Sequence, residues 1–492
     1  ATLQNKQLLF RSISAGKMTI KDKQQNIPFI NLNERNMSVL VHSLFSSWML
    51  SFIFEGQIFQ YLAKEYNFPA DSLIIGSSAA MFSGLLLGGF FIKTKMHTKR
   101  LFLYSYPFFI ALSLIFFFPP SALWSMGIIL GSFISGCCVA SWGFYFKTVS
   151  EKNERIKTAA DVLIISNIIM IILNAEAINV SPRTGLSLSI VMLVCAFMLA
   201  LKLPSDYDAD HADKKEGSLS ISNLLLFFYL FIVILTINSG LMYHVVNPAF
   251  EHLTTLTSWY WAVPYVAAIL LLRNFSQKIK TSYILYVAIA MIGLSFIAFI
   301  ALDRSGASYF VINTLMLGSY GVYDLFFWSI LGVMLDYHEN PAKILGIGLS
   351  ANVLGIVLGG LVGSNLIANN LHGINTSLLA FAVVCVTLAL LPPLNKRLSS
   401  MLKGHTYFTA FTEMPQFKQN SQIDKISTFG NLSEREKQVA SLLLQGKTYK
   451  TIAGELFISE NTVKYYVKNI YSKFNIQSRA ELIDIVMEKE TR

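Results

Sequence analysis

Apolar runs long enough to cross a bilayer fill most of the first 393 residues of this 492-residue chain. Hydrophobic residues make up 53% of the chain and charged residues 14%, and the mean hydropathy is +0.51, a combination foreign to soluble proteins of this size. A spanning helix needs roughly 20 apolar residues. The chain has about twelve such runs, at 37–60, 72–92, 101–118, 123–146, 159–180, 185–203, 220–245, 257–272, 282–302, 308–334, 344–366 and 373–393. We therefore predict an all-α, polytopic membrane bundle of about twelve transmembrane helices.

The cations between these runs predict the orientation of the bundle, because Lys and Arg near span ends stay in the cytoplasm. Residues 1–35 are basic and contain no apolar core for a signal peptide or a span, so they are predicted to be a cytoplasmic tail. The alternate connections that start with this tail carry Lys93, Lys95, Lys99, Arg100, Lys147, Lys152, Arg155, Lys157, Lys202, Lys214, Lys215, Arg273, Lys278, Lys280 and Lys343. The opposite connections carry Lys64, Arg183 and Arg304. An even number of spans then returns the C-terminus to the cytoplasm as well.

The last 60 residues have a different pattern, that of four short amphipathic helices. Ser433 followed by Glu436 predicts a capping box at the start of the first helix, and Gly446 predicts its end. Ser459 is expected to cap the third helix, whose apolar residues recur at helical spacing. Two helices joined by a tight turn, the second with an exposed polar face, make a helix-turn-helix.

This segment resembles the LuxR/FixJ-type C-terminal DNA-binding domain over roughly 55 residues. The matching positions are Leu432, Ser433, Arg435, Glu436, Gly446, Ile452, Ala453, Leu456, Ile458, Ser459, Thr462, Val463, Lys464, Asn469, Ile470, Lys473, Arg479 and Glu481. One departure is Tyr466, where the family most often has His. The resemblance implies a bacterial transcription regulator, and with the predicted spans it places the protein in the inner membrane.

If the resemblance holds, the third helix enters the major groove of double-stranded DNA. Lys464, Tyr465 and Lys468 would then read bases, since Lys can donate to guanine O6 and N7. Residues better placed for phosphates are Asn461, Thr462, Tyr466, Lys447 and Lys450. The last helix carries the apolar residues Leu482, Ile483, Ile485 and Val486, more than so small a core requires, and in the family it forms a dimer. A homodimer on an inverted-repeat promoter site is therefore expected.

The membrane part resembles the major facilitator transporters in its architecture of six spans, a charged cytoplasmic connection at 204–218, and six more spans. Residues 88–100, GGFFIKTKMHTKR, lie where that family has its basic loop after the second span. The loop lacks the usual Asp, and the fifth span lacks the Gly-Pro motif of the antiporter branch. These departures weigh against active transport.

Ionisable residues within spans are costly and are candidate ligand contacts. Asp324 lies in the middle of the tenth predicted span. Four further candidates lie near the outer ends of other spans: Glu55, Glu176, Arg183 and His244. Residues in these positions would line a cavity that is open to the outside. Each could instead be an interhelical hydrogen bond or an interfacial anchor.

No motif for catalysis, a cofactor or a metal is present, so the sequence predicts neither an enzyme nor a bound cofactor. Residues 394–430 are polar and of mixed charge, and a coil of this length would span roughly 30–35 Å. The predicted domains are a tail at 1–35, a membrane domain at 36–393 with halves 36–203 and 220–393, a linker at 394–430, and a DNA-binding domain at 431–492.

These features favour a membrane-embedded one-component regulator that binds a small molecule from outside and controls DNA binding inside. A working transporter with a fused autoregulatory DNA-binding domain is the alternative. A C-terminal domain that binds a protein partner is a third hypothesis.

Overall fold

The structure, a computed structural model, describes residues 33–54, 56–151, 154–205, 221–273, 281–335, 340–368, 378–394, 396, 414–447 and 449–490. Glu55, nearly all of the tail at 1–35 and nearly all of the connection at 204–218 lie outside these residues, as does the first half of the linker. The membrane part is built of fifteen described helices: α1 Glu34–Trp48, α2 Gln57–Glu65, α3 Asp71–Phe91, α4 Lys95–Leu114, α5 Ala122–Ser141, α6 Gly143–Val149, α7 Arg155–Asn179, α8 Pro182–Leu201, α9 Ile221–Leu241, α10 Thr254–Tyr260, α11 Val263–Arg273, α12 Thr281–Ala301, α13 Gly306–Met334, α14 Pro341–Ala368 and α15 Leu378–Leu394.

The all-α membrane bundle predicted from the sequence is confirmed. Among the described residues, ten helices are long and apolar enough to cross a membrane. Two shorter apolar helices, Leu226–Leu241 and Leu378–Leu394, occupy the runs predicted at 220–245 and 373–393. Every predicted run thus contains a helix.

Two predicted runs are interrupted rather than continuous. The first is broken at Phe54, which is extended, before the chain resumes as α2. The run at 257–272 is divided between α10 and α11. The first helix of each half ends in a π-turn, Met49–Ile53 after α1 and Met242–Val246 after α9. Such turns are rare and are frequent at functional sites.

Glycines let the helices of the bundle approach closely. A Cβ at Gly84 would lie 1.9 Å from the carbonyl oxygen of Phe133, where α3 crosses α5. In α14, a Cβ at Gly355 would lie 2.0 Å from the hydroxyl oxygen of Thr236 on α9, and a Cβ at Gly359 would lie 2.1 Å from the carbonyl oxygen of Ile237. Small residues at these crossings permit close backbone contact. Through Gly346, α14 also packs on α3, which joins the two halves.

The C-terminal part forms five helices: α16 Gln416–Gly430, α17 Glu434–Leu444, α18 Tyr449–Leu456, α19 Glu460–Phe474 and α20 Arg479–Glu490. Its buried apolar residues make a core of their own, separate from the core of the membrane helices. The capping box of Ser433 and Glu436 is confirmed. Gly446 has a left-handed φ of 84°, which suits the predicted end of α17.

The prediction that the linker is a coil is wrong for its second half. Residues 416–430 form α16, in which Ile423 and Ile426 are buried in the C-terminal core. Gly430 packs against Phe474 so closely that a Cβ would lie 2.3 Å from the ring. The segment is polar on average, but two isoleucines three residues apart are enough for one turn of contact.

Candidate nucleic-acid interface and membrane cavity

The helix predicted to enter DNA, α19, is held on the domain by one apolar face. The hydroxyl of Ser459 accepts a hydrogen bond of 3.1 Å from the backbone N–H of Thr462 and caps the helix as predicted. Val463, Val467 and Ile470 are buried at helical spacing. The turn before the cap contains Phe457 at a left-handed φ of 55°. The geometry of a helix-turn-helix is thus complete.

The opposite face of α19 is open to solvent. Asn461, Lys464, Tyr465 and Lys468 are exposed, and Tyr465 is 62% exposed. Lys464 and Lys468 are one helical turn apart and border a shallow depression of about 430 Å³ that also contacts Tyr449. Among the described residues, neither lysine takes part in an ion pair. Two cations and an exposed aromatic side chain therefore lie on one face of α19.

The residues predicted to contact phosphates are placed less uniformly. Thr462 shares a hydrogen bond of 2.8 Å with Ser459, and the half-buried Tyr466 meets the ring of Tyr465 edge-on. The ammonium of Lys447 is paired with Glu455. Lys450 lies in the first turn of α18, and its side chain lies outside what the structure describes. Lys447 would have to leave Glu455 to reach a phosphate.

An ion pair between an exposed lysine and a buried carboxylate fixes the far end of α19. Lys473 Nζ donates to Glu436 Oε2 at 2.6 Å and to the carbonyl oxygen of Asn431 at 2.8 Å. Glu436 Oε2 also accepts from the Ser433 N–H at 2.8 Å. Burial alone would raise the pKa of the Glu436 carboxyl, but the hydrogen bonds from Lys473 and Ser433 hold that pKa below its ordinary value. The ion pair was missed at the sequence level, where Glu436 was a capping-box residue and Lys473 only a match to the family.

The apolar residues of α20 are mostly used within the domain. Leu482, Ile483 and Val486 are buried in its own core, and Ile485 is half-buried. The prediction that the apolar residues of α20 exceed the needs of the domain core is therefore wrong for three of the four. The sequence analysis counted four helices, whereas α16 is a fifth helix that packs on the same core. The core is therefore larger than four helices would require.

A cavity of about 1150 Å³ lies between the two halves of the membrane domain. Asp324 lines it from the middle of α13, and its Oδ2 accepts a hydrogen bond of 2.9 Å from the Tyr265 hydroxyl on α11. Neutral polar side chains face it from the other helices: Ser46, Gln57, Ser166, Asn167, Asn174 and Asn352. The cavity is large enough for a drug-sized molecule.

The mouth of the cavity is at the end of the bundle predicted to face outside. Lys64 Nζ lies 2.8 Å from Glu251 Oε1 there, and this exposed pair links the two halves. At the other end Trp328 forms the floor and packs against Trp142, with ring centroids 6.0 Å apart, and against Phe146 at 6.3 Å.

Below that floor, polar contacts close the end predicted to be cytoplasmic. Asp161 on α7 lies 2.6 Å from Arg273 Nε of the other half and 2.7 Å from Arg35 Nη2 of its own. Arg155 Nη1 donates to the carbonyl oxygen of Gly332 across the same interface, at 2.8 Å. The bundle is thus open at one end and sealed at the other.

The predicted ligand residues do not all meet in this cavity. Asp324 lines it, whereas Arg183 donates to the Tyr66 hydroxyl at 2.8 Å and lies 3.6 Å from Glu65, away from the lining residues. Glu176 is half-buried near the end of α7 and also lies outside the lining. Glu55 and the side chain of His244 lie outside the described part of the chain. Arg183 and Glu176 were expected to line the cavity, but neither is among its described lining residues, although Asn174 and Ile178 at the same end of α7 are.

Comparison with known proteins agrees with the C-terminal geometry. Residues 430–486 match the family described as bacterial regulatory proteins, luxR family. The spore germination protein GerE of Bacillus subtilis is 44% identical over 52 residues, which are 11% of this chain and 70% of GerE. The chain belongs to the luxR family. A second relative is the transcription regulator of virulence factors BvgA of Bordetella pertussis, which is 38% identical over 88 residues. Those residues are 18% of this chain, and the chain spans 41% of the length of BvgA.

The membrane part of this luxR-family chain has the fold of the major facilitator superfamily. The transporter FucP, solved in its outward conformation, superposes with a TM-score of 0.53 over 74% of this chain and 99% of FucP, at 11% identity. A bacterial homologue of the iron transporter ferroportin, in an outward-facing state, gives 0.55 over 74% of this chain and all of that protein, at 12% identity. Identities this low establish the fold. The protein is therefore a multi-pass membrane protein with a LuxR-type DNA-binding domain, and its relatives are regulators and transporter folds.

Proposed function

We propose that this protein is a one-component transcription regulator whose transporter-like membrane domain senses a small molecule. The membrane domain covers 36–393, in halves 36–203 and 220–393, with both termini in the cytoplasm of a bacterial inner membrane. Because α16 shares the C-terminal core, the DNA-binding unit begins near residue 416 and not at 431. The observation that supports this proposal is that one chain combines a helix-turn-helix with a membrane domain that has a large cavity between its halves.

A ligand in this cavity would act by preferring one arrangement of the two halves. A few kcal/mol of differential affinity suffices to shift a two-state equilibrium. The inter-half contacts Asp161–Arg273 and Arg155–Gly332 lie on the side where the DNA-binding unit must be. Breaking or strengthening them would change the end of the bundle nearest that unit.

On the DNA side, Lys464, Tyr465 and Lys468 read the major groove, and their exposure and free charges support this assignment. Asn461, Thr462, Tyr466, Lys447 and Lys450 contact phosphates. The domain acts as a homodimer on an inverted repeat, with α20 as the contact. For α20, the surface left for this contact centres on Ile485.

A transporter with an autoregulatory DNA-binding domain is the second candidate, and the major facilitator fold favours it. A transporter must bind and release on both sides of the membrane, whereas a sensor needs only a conformational preference. The two functions therefore differ in whether the ligand crosses.

A reporter assay separates these functions. DNA fragments that bind residues 414–492 are first selected, and a reporter gene is placed under the control of one such fragment. Compounds supplied outside the cells are screened for a response, and the response should be lost in Asp324→Asn while membrane insertion and DNA binding remain. Glu55→Gln tests the predicted site residue that lies outside the described part of the chain. Arg183→Gln is the matched control: it removes a charge near the same end of the bundle but away from the cavity, so the response should persist.

Proteoliposomes that contain the wild-type protein should not accumulate the compound found in that screen. If the wild-type protein takes up the compound and Asp324→Asn abolishes this uptake, the protein is a transporter. A normal transcriptional response in Asp324→Asn would contradict sensing through this cavity.

A further inference from the structure

We propose that the membrane cavity takes an organic cation, a protonated amine or quaternary ammonium on an apolar body. This inference rests on the proposed function, because it names the chemical class of the ligand for the same cavity. Three observations carry it: the carboxyl group of Asp324, the aromatic side chains on the same face of α13, and the neutral polar side chains on the other walls.

Asp324 brings a carboxyl group to the middle of a membrane-spanning helix. Its one hydrogen bond comes from the Tyr265 hydroxyl, and among the described residues it has no ion pair. An ionised carboxylate has about four acceptor positions, so most remain available to a ligand. A lone charge at this depth is costly, and a cation bound beside it would offset that cost.

Among the described lining residues, the basic side chains are Lys64, which is paired, and His42, whose buried Nδ1 has no hydrogen-bond partner there. Lys64 is at the mouth, where Glu251 holds its ammonium at 2.8 Å. His42 is 3% exposed, and its ring is stacked on Trp142 with centroids 4.3 Å apart. Within the described lining, the depth of the cavity therefore presents a carboxyl group without a Lys or Arg to neutralise it.

Aromatic rings surround this carboxyl group. Tyr320 and Trp328 are four residues before and after Asp324, so they lie on the same face of α13, one turn above and one turn below. Both line the cavity, and Tyr265 faces them from α11. Aromatic faces attract cations, most strongly where water is excluded. An acidic group with aromatic side chains one turn above and one turn below it is suited to an ammonium group on an apolar body.

The remaining walls favour a ligand that also donates and accepts hydrogen bonds. Asn167 and Asn352 project neutral amides from α7 and α14. The hydroxyl of Tyr323 and Oδ1 of Asn174 are buried and line the cavity, and among the described residues neither has a hydrogen-bond partner. Buried polar groups are normally paired, so these two atoms mark positions for polar atoms of a ligand. An anion would meet the Asp324 carboxylate and is disfavoured.

Three probes of similar size and different charge test this inference: benzyltrimethylammonium, phenylmethanesulfonate and benzyl alcohol. The full chain, reconstituted in lipid nanodiscs, is titrated with each probe by isothermal calorimetry. We expect the cation to bind about tenfold or more tightly than the other two, the ratio that cation–π and charge contributions of this size produce. Asp324→Asn should remove the difference.

Control variants separate recognition from folding. Asp303→Asn makes the same chemical change just before α13, in an exposed loop, and should keep the preference for the cation. Trp328→Leu should weaken binding of the cation selectively. Each variant must elute as wild type in size-exclusion chromatography.

Equal affinity for the three probes, no measurable binding of the cation, or a preference that survives Asp324→Asn would overturn the inference. These outcomes concern binding by purified protein, so they do not depend on transcription. If the cation binds as expected but the reporter never responds to any external compound, the ligand class stands and the sensor function fails. A reporter that responds through Asp324 to neutral or anionic compounds leaves the function standing and refutes the ligand class.

Discussion

At the scale of single residues, the two lysines on the open face of α19 carry a specific expectation for DNA binding. Lys464→Ala or Lys468→Ala should each weaken binding of residues 414–492 to their site by about 1–3 kcal/mol if each makes a base contact. Electrophoretic mobility shift at fixed salt measures the change. Lys425→Ala, an exposed lysine on α16, is the control for loss of one positive charge.

The core face of α19 should respond differently from its open face. Val467 is 3% exposed, so Val467→Asp would bury an unpaired charge and unfold the domain. Circular dichroism separates this outcome from lost recognition in a folded domain. Full DNA affinity in both lysine variants would show that α19 does not read the site.

The pair of Glu436 and Lys473 predicts how the C-terminal domain responds to acid. The pKa of Glu436 is lowered in the folded domain, so its contribution to stability is complete above the ordinary value of 4.5 and is lost as the pH falls below it. Urea unfolding of residues 414–492 between pH 3 and pH 7 measures this loss.

Glu436→Gln should lower the free energy of unfolding at pH 7 by about 1.5–3 kcal/mol, the range for hydrogen bonds to charged groups, and flatten the pH dependence. Glu434→Gln is the matched control, because Glu434 is exposed in the same first turn of α17. An unchanged pH profile in Glu436→Gln would mean that another group controls acid stability.

At the scale of elements, α16 converts part of an expected tether into a component of the DNA-binding unit. Ile426 is 2% exposed in the C-terminal core. Ile426→Ala should cost about 2–5 kcal/mol of stability in residues 414–492, as buried Ile to Ala changes do. Thr428→Ala, on the exposed side of the same helix, should cost far less, and equal losses would show that α16 is not packed.

The packed α16 also shortens the free connection between the membrane and the DNA-binding unit. Residues 416–430 are helical and packed in the C-terminal core, so they are not part of a tether. A movement at the sealed end of the bundle would thus reach the DNA-binding unit through about half the length of chain that the sequence indicated.

At the scale of the whole molecule, the distribution of cations predicts the topology. Reporter fusions after Lys152, Lys215, Lys278 and Lys403 should report the cytoplasm, and fusions near Lys64 and Arg304 the outside. Alkaline phosphatase and green fluorescent protein fusions, active on opposite sides, provide the two readouts. A fusion after Lys403 that is active outside would place the DNA-binding domain away from DNA and refute the proposed function.

The sequence by itself determined the features that depend on neighbouring residues. Apolar runs of sufficient length specify membrane helices, because each helix forms its hydrogen bonds internally. Likewise, Ser433, Glu436, Gly446 and Ser459 act within a few residues of their own position, so both the capping box and the helix-turn-helix were predictable.

Only the tertiary structure decided which side chains share a site. Asp324 meets Tyr265, which is 59 residues away, because α11 and α13 pack side by side. Arg183 looked equivalent to Asp324 in the sequence, yet its helix end turns toward Tyr66 and Glu65. The burial of Ile423, Ile426, Leu482 and Ile483 likewise depends on helices that are distant along the chain. Which face of a helix is covered is set by its neighbours in space, and the hydropathy of a single segment does not contain that information.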